Sequence, residues 1–182
     1  MPPSRDKLMQ KLAEAVHAYM LEDPSIGGAR AMEWAVTSRI ATYLARSTRV
    51  REWEDQHHVR VDAEYAQQGL QGRPKGKVGL NGKLTGKWIK PDLIIHRRTQ
   101  HGEHSNWLAV EVKLHKGEPP DEPDPKDWAS LTRCKELYRY GVALWVSIPR
   151  SPGPGTKAIF IEMDEMGEVA LRGTLVELPE QG

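Results

Sequence analysis

The sequence has a single cysteine, Cys134. That excludes an internal disulfide framework and suits a reducing compartment. Long hydrophobic runs are missing too: none approaches the ~18 residues of a membrane-spanning helix. The opening MPPSRDKLMQ lacks the apolar core of a secretory signal. The expectation is a cytoplasmic protein with no membrane partner. There is no excess of one charge sign, since 26 Lys and Arg meet 25 Asp and Glu for a net charge of +1. Seven histidines raise the question of zinc, but His57-His58 and His101-x-x-His104 find no second Cys or His pair to complete a tetrahedral set. No Walker-type GxxxxGK[ST] is present, and GLNGKLTGK spaces its glycines and lysines wrongly for a phosphate loop. Internal repeats are also absent.

What remains is 182 residues, 38% hydrophobic and 28% charged, as in a globular protein able to bury a core without staples. One domain over 1–182 is expected. It divides into an N-terminal helix and linker (1–28), a central core (31–148) and a C-terminal β-hairpin and tail (151–182).

Leu8, Leu12, Ala15, Val16, Tyr19 and Met20 recur with helical period, which predicts a helix from Ser4, its N-cap, to Leu21. A second helix is predicted from Ala31 to Ala45, with Met32, Val36, Ile40, Tyr43 and Leu44 inward. From His58 to Tyr65 the period changes to two, as in a half-buried strand. Residues 69–88 hold six glycines and read as a long loop or irregular hairpin. Asp92 to His96 and Trp107 to His115 are predicted strands joined by a polar turn. The proline-rich GEPPDEPDP leads into a helix with Asp127 as N-cap and Trp128, Leu131, Cys134 and Tyr138 inward. Cys134 therefore reads as packing. VALWVSI (142–148) is a central strand, followed by a hairpin over Ala158–Met163 and Val169–Leu171, with RGTLVELPEQG as a short edge strand. The sum is an α/β protein, a mixed central β-sheet flanked by helices.

The third predicted strand carries charge. Leu108, Val110, Val112 and Leu114 share one face, while Trp107, Ala109, Glu111, Lys113 and His115 share the other. If this strand pairs with its predecessor, Asp92 falls toward the Lys113 and His115 end. Two carboxylates and a lysine then converge at one sheet edge. Mg²⁺ takes one or two carboxylates plus waters and phosphate oxygens, so the set suits metal-assisted phosphoryl chemistry with Lys113 positioning or activating water. A basic cluster with no acid among it, Arg73, Lys75, Lys77, Lys83, Lys87 and Lys90, leads into the first of these strands and could hold phosphates. Trp88 beside it could stack on a base.

Pro91-Asp92 in KPDLIIHRR, followed by Glu111-Val112-Lys113 in LAVEVKLHK, resembles the signature of the PD-(D/E)XK nuclease superfamily. The order of predicted elements from Ala31 to Ile148, about two-thirds of the chain, is similar to its restriction-endonuclease-like core. The resemblance implies a Mg²⁺- or Mn²⁺-dependent nuclease, a DNA endonuclease before an RNA one. It implies Asp92 and Glu111 as metal ligands, Lys113 as the catalytic lysine and the main-chain carbonyl of Val112 as a further ligand. Glu33 is the positional match to the family's helical acid. Glu64 is a further candidate for the metal site, ahead of Asp62. Arg133 and Lys135 on the following helix would contact phosphate. From position alone His96 and His115 flank the site but read as ordinary surface histidines. A homodimer is expected because cutting both strands takes two active sites. The alternative is a catalytically silent relative that binds nucleic acid or a protein partner in a defence or DNA-processing assembly.

Overall fold

The computed structural model describes residues 2–27, 33–63, 91–97 and 105–180, together with the backbone of four short strands between residues 67 and 88. It is an α/β protein: a six-stranded mixed sheet flanked by four helices.

Helix α1 (Arg5–Glu22) forms where the sequence places its apolar stripe, and all six stripe residues are buried. A short 3₁₀ turn (Pro24–Gly27) follows, then α2 (Glu33–Arg46). Asp23, just past α1, holds the two helices together. Its carboxylate accepts from Arg39 of α2 and from the Tyr43 hydroxyl at 2.6 Å. Those two partners draw Asp23 below the usual carboxylate range. Tyr43, predicted inward, is half-buried and spends its hydroxyl on this junction.

Helix α3 (Thr48–His57) was not expected. It buries only Val50 and Trp53 and ends on His58 in the left-handed conformation. Strand β1 (Val59–Ala63) then enters the sheet. The glycine-rich stretch forms two small antiparallel ladders, β2 (Gln67–Gln68) with β3 (Arg73–Pro74) and β4 (Gly76–Val78) with β5 (Leu84–Trp88). The irregular hairpin expected there is thus two short ones.

The main sheet continues with β6 (Leu93–Arg97) and β7 (Asn106–His115). Helix α4 (Pro125–Tyr138) crosses over to β8 (Val142–Pro149), parallel to β7. Strands β9 (Lys157–Met163) and β10 (Val169–Glu177) complete the order β1-β6-β7-β8-β9-β10. The expected closing hairpin is present as β9 and β10, and its second arm and the expected edge strand are one continuous nine-residue strand, β10.

The period-two reading of β7 holds over most of its length. Leu108, Val110, Val112 and Leu114 join the core formed with α1 and α2. Ala109 faces the second core, which α4 builds with Leu131, Cys134 and Tyr138 over Ala143 and Trp145. Trp107 breaks the pattern. The pairing with β6 steps from Ile95 opposite Leu108 to His96 opposite Asn106, so Trp107 is the extra residue of a bulge. Its indole turns to the α1–α3 side and meets Trp53 edge-on at 6.1 Å and His57 at 5.6 Å. Trp107 is therefore not on the Glu111 face, as strict alternation implied. Among the described residues, no helix is long and apolar enough to cross a membrane.

The Trp53–Trp107 contact is what fixes polar α3 to the sheet. Trp107→Ala is expected to cost about 3–5 kcal/mol, read as a lower urea midpoint at unchanged slope.

Candidate functional site

Pro91 stops β6 from extending, and Asp92 stands just before its first residue. The last backbone pair of that ladder is Leu93 with Val110. Two residues further along β7, the Val112 N–H donates to Asp92 Oδ2 at 2.7 Å. Two further still, the Leu114 N–H faces Glu33 Oε1 at a long 3.5 Å. Where β6 runs out, carboxylates take over the exposed amides of β7.

Alternation places Glu111 beside Asp92 on the face covered by α4. Glu111 is only 7% exposed. Its carboxyl exchanges a hydrogen bond with Asp92 and accepts one from the Ser130 hydroxyl of α4. Burial raises the pKa of both acids, most strongly that of Glu111. The Asp92 charge raises Glu111 further, and Glu33 and Asp127 add to the repulsion on Asp92. At neutral pH the pair therefore retains a proton where two exposed carboxylates would hold none.

Lys113 lies one same-face step beyond Glu111. Its Nζ is 3.4 Å from Glu33 Oε1 and 3.7 Å from Asp127 Oδ2. Burial favours the neutral amine, but Asp127 and Glu33 outweigh it, so the ammonium is held charged. Glu33 and Asp127 thus flank this lysine, with Glu111 earlier along the same strand face and Asp92 beside it. His115, the next residue on this face, is buried, and its Nδ1 lies 2.7 Å from Ser147 Oγ.

Asp127 was expected to be the N-cap of α4. The cap is Asp124, whose side chain accepts from the Lys126 N–H at 2.8 Å, and Pro125 occupies the first helical position. Proline's preference for that position is the signal that identifies residue 124. Asp127 is left free to face Lys113 across the first turn. Asp127 and Ser130, three apart on one helix face, are the site residues that sequence reasoning missed.

Lys135, expected to contact phosphate, does something else. It is 6% exposed, and its Nζ donates to Gly141 O at 3.2 Å and to Glu165 Oε1 at 2.6 Å, tying α4 to the β9–β10 hairpin. Asp62 pairs with His96 Nε2 at 2.9 Å, on the same sheet face as Asp92 but one strand further out. Glu64 and the side chains of Arg73, Lys75, Lys77, Lys83, Lys87, Trp88 and Lys90 lie outside the described residues.

A half-buried and a buried carboxyl side by side are an oxygen-donor pair of the kind a hard divalent ion such as Mg²⁺ or Mn²⁺ takes. Among the described residues, no group of three or more Asp, Glu, His or Cys side chains is placed to hold a metal ion. Comparisons with protein-family models, curated proteins and solved structures found no match.

The buried pair carries a testable cost. A carboxyl whose pKa is raised on folding stabilises the protein fully below its unfolded pKa, and that contribution is lost as pH rises through the folded pKa. In chelator, the melting temperature is expected to fall as pH rises from the ordinary carboxylate range into the alkaline range. Glu111→Gln keeps a donor to Asp92 and removes the charge. This variant should melt higher than the parent at pH 8 and show a flatter pH profile by differential scanning calorimetry. A lower melting temperature for Glu111→Gln at every pH would mean that Glu111 serves packing alone.

Proposed function

We propose that this protein is a metal-dependent nuclease of restriction-endonuclease-like fold, with DNA as its substrate. The observation that carries the reading is the packing of half-buried Asp92 against buried Glu111 on one sheet face, one step from a lysine held charged. A stable sheet has no use for two adjacent acids packed under a helix, whereas a cation site does. The order α2, β1, β6, β7, α4, β8 supports the fold, because the β7-α4-β8 crossover supplies acids and lysine from one strand and their partners from the helix.

In this reading Asp92 and Glu111 hold Mg²⁺ or Mn²⁺, aided by Glu33 and the main-chain carbonyl of Val112, with Glu64 as a further ligand. The ion, when bound, supplies charge neutralisation at the phosphoryl group and makes a water more acidic. Lys113 adds a fixed positive charge. Since Glu33 and Asp127 keep it protonated, its part is to orient water by donating a hydrogen bond and to stabilise negative charge on the phosphate, not to accept a proton. Ser130 fixes the Glu111 carboxyl through its hydroxyl. The basic residues from Arg73 to Lys90 hold backbone phosphates, and a homodimer would supply the second site that double-strand cleavage needs.

Two measurements test the proposal. Purified protein should hydrolyse DNA with Mn²⁺ or Mg²⁺ and not in chelator, and Lys113→Ala should lower the rate by about 10²–10³-fold with the melting temperature preserved. Undiminished hydrolysis by Lys113→Ala would overturn the mechanism. In calorimetric titrations with Mn²⁺, binding should disappear in Asp92→Asn. A protein that binds DNA but takes up no Mn²⁺ would be the silent relative instead.

A further inference from the structure

The carboxyl ends of β7 and β8 open into a groove that the proposed chemistry leaves unused. Two adjoining cavities, about 470 Å³ and about 280 Å³, share His115, Gly117, Pro149 and Thr156 in their walls. They form one depression between the segment after β7 and the β8–β9 turn, which the Arg150 N–H fastens to His115 O at 2.9 Å.

The groove's polar groups favour an anion. His115 spends Nδ1 on Ser147, and its Nε2 has no partner among the described residues. Lys116 and Arg150 line the same wall, and neither has an ion-pair partner among the described residues. Lys157, at the far end, is matched by Glu177 at 3.0 Å. Glu118 is the one acid in the lining. By contrast, Lys113 is already balanced by Glu33 and Asp127. Among the described residues, the unpaired positive charge of this groove therefore belongs to Lys116 and Arg150.

His115 follows Lys113 on the same face of β7, a step of roughly 6–7 Å along a strand. A strand of nucleic acid with one phosphate at Lys113 would bring a neighbouring phosphate of the same chain over this groove. We propose that the groove around His115, Lys116 and Arg150 is a backbone-phosphate subsite, continuing the DNA path past the carboxylate cluster. The assignment rests on the nuclease reading for the identity of the ligand. It concerns binding, which can be measured apart from cleavage.

The test is fluorescence anisotropy with a labelled DNA oligonucleotide in chelator, so that no metal or hydrolysis enters. The Lys116→Gln/Arg150→Gln variant should bind about tenfold or more weakly. Each lost phosphate contact should also flatten the dependence of log Kd on log salt by about 0.7–0.9. Arg150→Lys should retain most of the affinity, and a Lys7→Gln/Arg51→Gln control, matched in charge, should bind as the parent does. Parental affinity and salt slope in the Lys116→Gln/Arg150→Gln variant would overturn the subsite, as would absence of oligonucleotide binding by the parent. A nucleoside monophosphate should compete at least 100-fold less well than unlabelled oligonucleotide. Equal competition would overturn the polynucleotide assignment in favour of a single-phosphate site. Failure of metal-dependent hydrolysis alongside binding that depends on Lys116 and Arg150 would sink the nuclease reading and leave the subsite standing.

Discussion

The hydrogen bond from the Val112 N–H to Asp92 Oδ2 is the contact on which the site depends. It sits where β6 has ended and β7 continues, so without it a β7 amide would lose its ladder partner. A side chain can stand in for a strand only if it is short and an acceptor, and Asp92 is both. Once Asp92 is drawn in to cap that amide, alternation leaves Glu111 nowhere to go but alongside it. The register of two strands thus imposes the proximity of two like charges. Desolvation and their mutual repulsion both favour retention of a proton on the pair.

The balance of charge around this pair decides what Lys113 can be. A lysine buried alone loses its proton readily, and such lysines serve as bases. Here Glu33 reaches Lys113 from the first turn of α2 and Asp127 from the first turn of α4, so elements on both faces of the sheet clamp the ammonium. Both acids also lie in helix N-terminal turns, where the dipole favours a negative charge. The arrangement keeps Lys113 cationic and in place, which is the state that stabilises a phosphate. It also explains why α4 is as much a part of the site as β7. The helix contributes Asp127 and Ser130 on one side while Leu131 and Cys134 seal the core beneath.

Much of this was legible in the sequence, and for a physical reason in each case. Helix α1 shows a complete apolar stripe because one side of it faces the sheet throughout. The alternation of β7 survives because both its faces are covered by different cores. Helix α3 was not legible because TRVREWEDQH buries only two side chains, too few to write a period. The bulge at Trp107 was hidden because alternation counts residues and cannot see that one strand has taken an extra one. Asp127 was misassigned because two aspartates three apart can each cap a helix, and only Pro125 between them breaks the tie. Lys135 was read as a phosphate contact for being a lysine. Its place one helical turn after Leu131, on the stripe with Cys134 and Tyr138, marks it as inward.

The division of labour across the sheet explains how a fold can carry so unfavourable a cluster. The even-numbered residues of β7, Leu108 to Leu114, belong to a continuous apolar core with α1 and α2 that owes nothing to the site. The odd-numbered residues begin apolar at Ala109, turn acidic at Glu111, basic at Lys113 and polar at His115 as the strand emerges from under α4. Polarity therefore rises along one face while the other stays uniformly buried. Substitutions at Glu111 or Lys113 change local electrostatics without touching the packing that holds β7 in the sheet. A strand built this way separates what keeps the protein folded from what its polar end can do.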